Sequence, residues 1–287
     1  MERLLVSLNR VAWKLLGTSY QSRQSIVASL GAWSNVDFLP LAYAQRGILK
    51  YRAGESGEDF LVSEVLAKTI TEKPVVIDVG ANIGDYTQRI HESFPNARIF
   101  SFEPNPALVN KLQNRVGLYA TVIPSAVGDQ RGTIKLFNSI DPNASSHGSV
   151  HAGALSDFHG YKNLVEVDVP ITTLDDFTRE QCVDQIDFLK IDTEGHEFAV
   201  LCGSRRLLSE GRIGCIQFEF NEMNIISRVF MKDFFSILNG FDFYRLDTSR
   251  LHPLKYSPRE ELFQFQNIVA VASHNQLAEK LRQELRT

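Results

Sequence analysis

The sequence predicts an α/β fold, a doubly wound, mostly parallel sheet with a helical extension ahead of it. Three observations carry that expectation. From residue 75 onward, short runs rich in Val, Ile and Phe alternate with segments of helical spacing, the pattern of strands joined by crossover helices. The first run, Val75–Val79, ends in an acid and passes through a glycine-rich turn into a helix. At 287 residues and 44% apolar, the chain can also bury a layered core.

Ahead of the sheet, Leu4, Leu5, Leu8, Val11, Ala12, Leu15 and Leu16 recur at helical spacing among Arg3, Arg10 and Lys14, which predicts an amphipathic helix. Asn9, Arg10 and Lys14 break the continuous apolar stretch a signal peptide needs. Residues 1–50 hold six Lys or Arg against two Asp or Glu. Such a stripe suits capping the domain or pairing subunits in a homo-oligomer, and less commonly weak peripheral contact with an anionic membrane surface.

Strands are then expected at Val75–Val79, Arg98–Phe102, Ala120–Pro124, Ile186–Ile191, Ile213–Phe220, Phe241–Leu246 and Gln266–Ala272, with helices at Asp85–Ser93 and Pro106–Gly117. Thr133–Phe137 reads as an extra strand. Residues 138–163, carrying Asn143, Ser145, Ser146, His147, Gly148, Ser149 and His151 with little periodicity, read as a long loop over the mouth of the sheet. The expected organisation is a helical extension over 1–70, one catalytic domain over 71–273 with the 138–163 insertion, and a terminal helix over 274–287.

Thirty Lys plus Arg against 34 Asp plus Glu give a net charge of −4, without the basic surplus that a nucleic-acid partner requires. No apolar run is long enough for a transmembrane segment, and the mean hydropathy is −0.13. Cys182, Cys202 and Cys215 lack disulfide or zinc spacing, so they are expected to be reduced core thiols of a cytoplasmic protein.

The segment from Val75 to Thr87 is the most informative. Its glycines permit a tight turn and close ligand approach, and the helix start offers free N–H donors. Glu103, 25 positions past Asp78, ends the second strand, where a doubly wound sheet accepts hydrogen bonds from ribose hydroxyls. A nicotinamide dinucleotide needs a second glycine where this turn has Asn82, and Asp78 would repel its pyrophosphate. S-adenosylmethionine has no phosphate. Asp78 suits its cationic end and Glu103 its ribose, with the turn left for its carboxylate.

Taken with Phe102–Pro106, Ser125–Asp129, Ala144–Ser146, Ile171–Asp175 and Leu189–Glu197, this segment resembles the FkbM family of S-adenosylmethionine-dependent methyltransferases, in order from about residue 55 to 272. The resemblance implies a class I, Rossmann-like methyltransferase fold. It also implies O-methylation of a sugar, glycan, glycolipid or secondary-metabolite hydroxyl. The cofactor shell it implies is Asp78, Gly80, Asn82, Gly84, Tyr86, Thr87, Glu103, Asn105, Ser125 and Ala126.

Beyond the fourth strand, Asp192, Glu194, His196 and Glu197 crowd six positions, and Glu219 and Asn221 end the fifth. A sugar hydroxyl must lose its proton as it takes a methyl. His196 is the natural base, with a reference pKa of about 6.5. Asp192 and Glu219 would orient the hydroxyl or the imidazole, or either would itself be the base. Asp192 and Glu194 also suit capping of the helix near Gly195, and His196 suits a packing role. The set of His196, Asp192, Glu194 and Glu219 would hold magnesium or manganese in preference to zinc, although a metal is not the favoured reading. The rival functions are a nicotinamide-dependent oxidoreductase and a non-catalytic cofactor-binding scaffold.

Overall fold

The structure is a computed structural model that describes residues 37–51, 54–139, 148–158 and 160–284. The stripe from Leu4 to Leu16, Ala144–Ser146 and His147 therefore lie outside the described residues. The chain divides into two units, Met1–Gln45 and Arg46–Thr287. In the first, α1 (Phe38–Ala44) is capped by Asp37, whose carboxylate accepts from Leu39 N at 2.9 Å.

The second unit opens with a helical run over residues 58–68, α2. Strand and helix then alternate through β1 (Val75–Val79), α3 (Asp85–Ser93), β2 (Arg98–Phe102), α4 (Pro106–Val116) and β3 (Ala120–Ile123). Next come β4 (Ala126–Val127), β5 (Gly132–Ser139), β6 (Gly148–Ser149), β7 (Leu164–Thr172), α5 (Leu174–Glu180) and β8 (Ile186–Ile191). The chain continues with α6 (Glu197–Cys202), α7 (Arg205–Ser209), β9 (Ile213–Phe220), α8 (Met223–Ser227) and α9 (Met231–Ile237). It finishes with β10 (Phe241–Asp247), β11 (Arg250–Leu254), β12 (Gln266–Ala272) and α10 (Gln276–Glu284).

Eight strands form the main sheet in the order β11-β10-β12-β9-β8-β1-β2-β3. From β9 to β3 the pairings are parallel, and β12, β10 and β11 add antiparallel partners. Both faces are covered, which is why the central strands read as almost unbroken apolar runs. Val76, Ile99 and Phe188 pack on one face with Leu61, Ile90, Leu112 and Leu281. Ile77, Leu189 and Phe218 pack on the other with Leu174, Val200 and Phe234. This is the expected doubly wound α/β fold.

Each expected strand is present, five of the seven with the expected ends, while β3 stops one residue earlier and β10 runs one residue further; Thr133–Phe137 is the middle of the longer β5. The sequence reading missed β7 and β11, together with the two-residue strands β4 and β6. In β7, Val165, Val167, Val169 and Ile171 alternate with polar residues, a period-two signal. It pairs with β5 along eight residues and builds a second sheet, β4-β7-β5-β6. The expected 138–163 loop is not structureless where it is described: it contains β6 and a helical turn, Ala154–Phe158, anchored by fully buried Ala154 and Leu155. Of the three thiols only Cys215 lies in the core; Cys182 is exposed and Cys202 half-buried. Among the described residues, no helix is long and apolar enough to cross a membrane.

Candidate active site

At the end of the main sheet where β1, β2 and β8 finish, a cleft of about 690 Å³ opens. The second sheet supplies its apolar wall through Val127 and Leu136, with Val150 just past β6.

The turn after β1 is built for close approach. Gly80 has φ +83°, and a Cβ placed there would lie 1.7 Å from the Asp192 carbonyl oxygen, so only glycine lets the ends of β1 and β8 meet. Gly84, at φ +91°, packs against Val116 and Leu112 of α4, where a Cβ would come within 2.8 and 2.9 Å of their side chains. The N–H groups of Gly80 and Ala81 donate to the Phe102 carbonyl at 3.0 and 2.8 Å. Asn82 N–H donates to Glu103 Oε2 at 2.8 Å. These three donors, expected to face a ligand carboxylate, instead pin the turn to the end of β2.

Glu103 is 6% exposed. Its Oε1 accepts from Asn105 N–H at 2.8 Å, so each carboxylate oxygen holds one backbone donor and keeps a lone pair for a ligand. Burial pushes its pKa up to about 7 against the pull of those two N–H bonds. Asn105 itself caps α4 by accepting from Ala107 N–H at 3.0 Å. Ser125 Oγ donates to the Ala126 and Pro170 carbonyls at 2.9 and 3.1 Å, so Ser125 and Ala126 shape the cleft rather than aim side-chain donors into it.

The residues after β8 form the opposite side. Asp192 N–H donates to the Val79 carbonyl at 3.0 Å, and its Oδ2 accepts from Lys190 Nζ at 2.9 Å. The cap of the following turn is Glu197 rather than Asp192 or Glu194. Its Oε1 accepts from Thr193 N–H, Thr193 Oγ1 and Gly195 N–H at 2.9, 3.0 and 3.1 Å. Glu194, at φ +54°, accepts through its carbonyl from Ser149 Oγ at 2.8 Å, which ties β6 to this turn.

The cleft thus gathers Gly80, Asn82, Glu103, Ser125, Ala126, Asp192, Glu194 and His196 on its wall. Asp78, Gly84, Tyr86, Thr87, Asn105 and Glu219 lie off it. Asp78 is fully buried under the turn, where Thr87 Oγ1 donates to its Oδ2 at 2.7 Å and also bonds Ser101 Oγ at 2.8 Å. Tyr86 OH donates to Gln217 Oε1 at 2.5 Å. These side chains support the turn from beneath.

His196 departs from the expectation of a base poised near neutrality. Burial first, then the nearby His151 ring, lowers its pKa to about 4. Its Nε2 is buried without a hydrogen-bond partner among the described residues, and the His151 ring centroid is 5.8 Å from its own. Burial also pushes the Glu219 carboxyl well above the usual range, with Asp192 and Glu194 adding to the shift. Asn221 Nδ2 donates to it at 3.3 Å. Among the described residues no three His, Cys, Asp or Glu side chains are grouped to hold a metal.

Sequence reasoning passed over Lys190, counted Glu197 in the acidic cluster without giving it a role, and read His151 as a loop histidine within reach of the acceptor but commonly idle. Of these, only Glu197 carried a sequence signal, an acid at the start of a helix after a glycine turn.

Comparison with known proteins follows the same residues. The family model described as the methyltransferase FkbM domain matches residues 78–243. The chain is 25% identical to the 2-O-methyltransferase NoeI of Sinorhizobium fredii over 158 residues, 52% of this chain and 65% of that one. It is 26% identical to the methyltransferase sdnD of Sordaria araneosa, over 47% of this chain and 61% of the other. It is 29% identical to the hexuronic acid methyltransferase AglP of Haloferax volcanii, over 51% and 56%. The chain therefore spans less than two thirds of the length of these relatives.

Proposed function

Because the chain belongs to the FkbM methyltransferase family, we propose that it is an S-adenosylmethionine-dependent O-methyltransferase whose acceptor is a carbohydrate-type hydroxyl, on a sugar, glycan, glycolipid or secondary metabolite. One observation carries the choice of cofactor. The described wall of the cleft bears the carboxylates of Glu103, Asp192 and Glu194 and neither Lys nor Arg. That donor set fits a sulfonium cation with a ribose diol and opposes a pyrophosphate.

When bound, the cofactor supplies a methyl carbon made electrophilic by its sulfonium, and the C–S electron pair leaves with the sulfur. The protein does the rest. Glu103 would accept from the ribose hydroxyls, Gly80 and Asn82 would floor the site, and Val127 and Leu136 would offer an apolar wall to the adenine. Displacement at carbon is accelerated chiefly by holding the acceptor oxygen in line with the methyl. Asp192 takes the hydroxyl proton as the O–C bond forms, since it lies on the cleft wall with one oxygen held by Lys190. His196, neutral at physiological pH, orients the acceptor by hydrogen bonding. Glu219, held towards its protonated form, supports this side from outside the cleft.

The named substrate of AglP is a hexuronic acid, but three carboxylates facing one cleft support a neutral hydroxyl compound here. Calorimetry with S-adenosylhomocysteine and with NAD tests the cofactor: binding of NAD alone would reject the reading. A panel of neutral and anionic glycans, scored by mass spectrometry for methyl incorporation, tests the acceptor. Asp192→Asn should lower kcat by about 10²–10⁴-fold, the usual worth of a general base, and leave S-adenosylhomocysteine affinity unchanged. Undiminished turnover would remove Asp192 from the mechanism.

A further inference from the structure

Lys190 is 5% exposed, and its ammonium lies 2.9 Å from Asp192 Oδ2 and 3.7 Å from Asp78 Oδ1. A strongly hydrated ammonium is costly to bury unless it is paired. Here the pairing is asymmetric. Asp78 is wholly enclosed, whereas Asp192 is the shorter contact and stands on the cleft wall.

Several elements fix the position of that ammonium. The register sets Lys190 between Asp78 of β1 and Gln217 of β9. The Tyr86 ring of α3 lies over it at 5.2 Å from Nζ to centroid. Tyr86 is held in turn by Gln217, whose Nε2 donates to Glu58 of α2 at 3.2 Å and Asn267 of β12 at 3.0 Å. Asp192 is constrained from two sides: its main chain by Val79 and the close pass of Gly80, its carboxylate by Lys190 through Oδ2.

We propose that Lys190 is a positioning residue for methyl transfer, holding Asp192 by Oδ2 so that Oδ1 meets the acceptor hydroxyl. The proposal rests on the reading of Asp192 as the group that takes the proton. In that step the O–H proton passes to Oδ1, the oxygen lone pair forms the O–CH₃ bond, and the C–S pair leaves with the sulfur.

Lys190→Met alone leaves Asp78 buried and unpaired and would unfold the site for that reason. The informative variant is therefore Lys190→Met with Asp78→Asn, which removes both charges. Crystal structures of this double variant and of the unaltered protein, each with S-adenosylhomocysteine, should show the Asp192 carboxylate displaced in the variant; an unmoved carboxylate overturns the proposal.

Displacing a reacting group by about 1 Å costs roughly 10²-fold, so kcat on a neutral glycan acceptor should fall by about that factor. The KM and the calorimetric affinity for S-adenosylhomocysteine should hold. Lys190→Arg, which keeps a cation in place, should recover part of kcat. If Lys190 serves only to neutralise Asp78, the double variant will turn over at the unaltered rate, and the proposal falls. Asp192→Asn in parallel separates the two readings. Full turnover in Asp192→Asn rejects Asp192 as base and this proposal with it, whereas a slow Asp192→Asn beside a fast double variant rejects Lys190 alone.

Discussion

Glu103 is pulled two ways, since burial favours its acid and two backbone N–H groups favour its carboxylate, and burial prevails to bring its pKa to about 7. A ribose diol donates to the carboxylate, so cofactor binding should prefer the ionised form. The sign follows directly. Above about pH 7 the free protein already carries the carboxylate and affinity is flat; below it, binding must first expel a proton, and affinity falls by about tenfold per pH unit. Calorimetry with S-adenosylhomocysteine from pH 5.5 to 8.5 would show this slope, and Glu103→Gln should abolish it. The same variant should weaken binding by roughly 10–100-fold at pH 8, the worth of a charge-assisted hydrogen bond. A slope that survives in Glu103→Gln would assign the titration to another group. Glu103 was legible in the sequence because it ends a strand at a fixed distance from the glycine turn. The lowered pKa of His196 was not, because it comes from burial and from His151, 45 positions away.

Between elements, the decisive contact is the crossing of the turn after β1 with the turn after β8. Gly80→Ala would put a methyl 1.7 Å from the Asp192 carbonyl and force an L-residue to φ +83°. The backbone term alone costs about 1–2 kcal/mol, and the clash must separate the two turns. The expected outcome is a lower thermal midpoint together with loss of S-adenosylhomocysteine binding; an unchanged midpoint would mean that the two turns do not meet. The strand, turn and helix from Val75 to Ser93 could be read from sequence because their signals are local: an apolar run, glycines, then helical spacing. The alternation in β7 was equally local but lay beside a polar stretch that masked it. Lys190 has no local signal, since a lysine in a strand reads as a solvent-facing residue. Only the register, with Asp78 on one side and Gln217 on the other, places it under the site.

Across the whole molecule, the net charge of −4 is less telling than where the acids lie. Glu103, Asp192 and Glu194 face the cleft, and Asp78 and Glu219 lie behind it, while Lys190 is already engaged by Asp192 and Asp78. A cationic cofactor is favoured by that field. An acceptor bearing its own carboxylate is opposed by it: two like charges about 4 Å apart at an effective dielectric near 20 repel by about 4 kcal/mol, and water at the mouth reduces this. For a hexoside and the matching hexuronide, kcat/KM should therefore favour the neutral sugar by at least about tenfold, which corresponds to about 1.4 kcal/mol. Added salt should narrow the gap, because screening weakens the repulsion felt at the open side of the cleft. Raising the pH from 6 to 8 should widen it, as Glu103 gains its charge across that interval and adds to the repulsion. Competition between the two glycosides in one reaction, read by mass spectrometry at two salt concentrations, measures the ratio without separate rate constants. Preference for the hexuronide would require cationic side chains at the acceptor end, and would move the acceptor away from the carboxylates of Asp192 and Glu194.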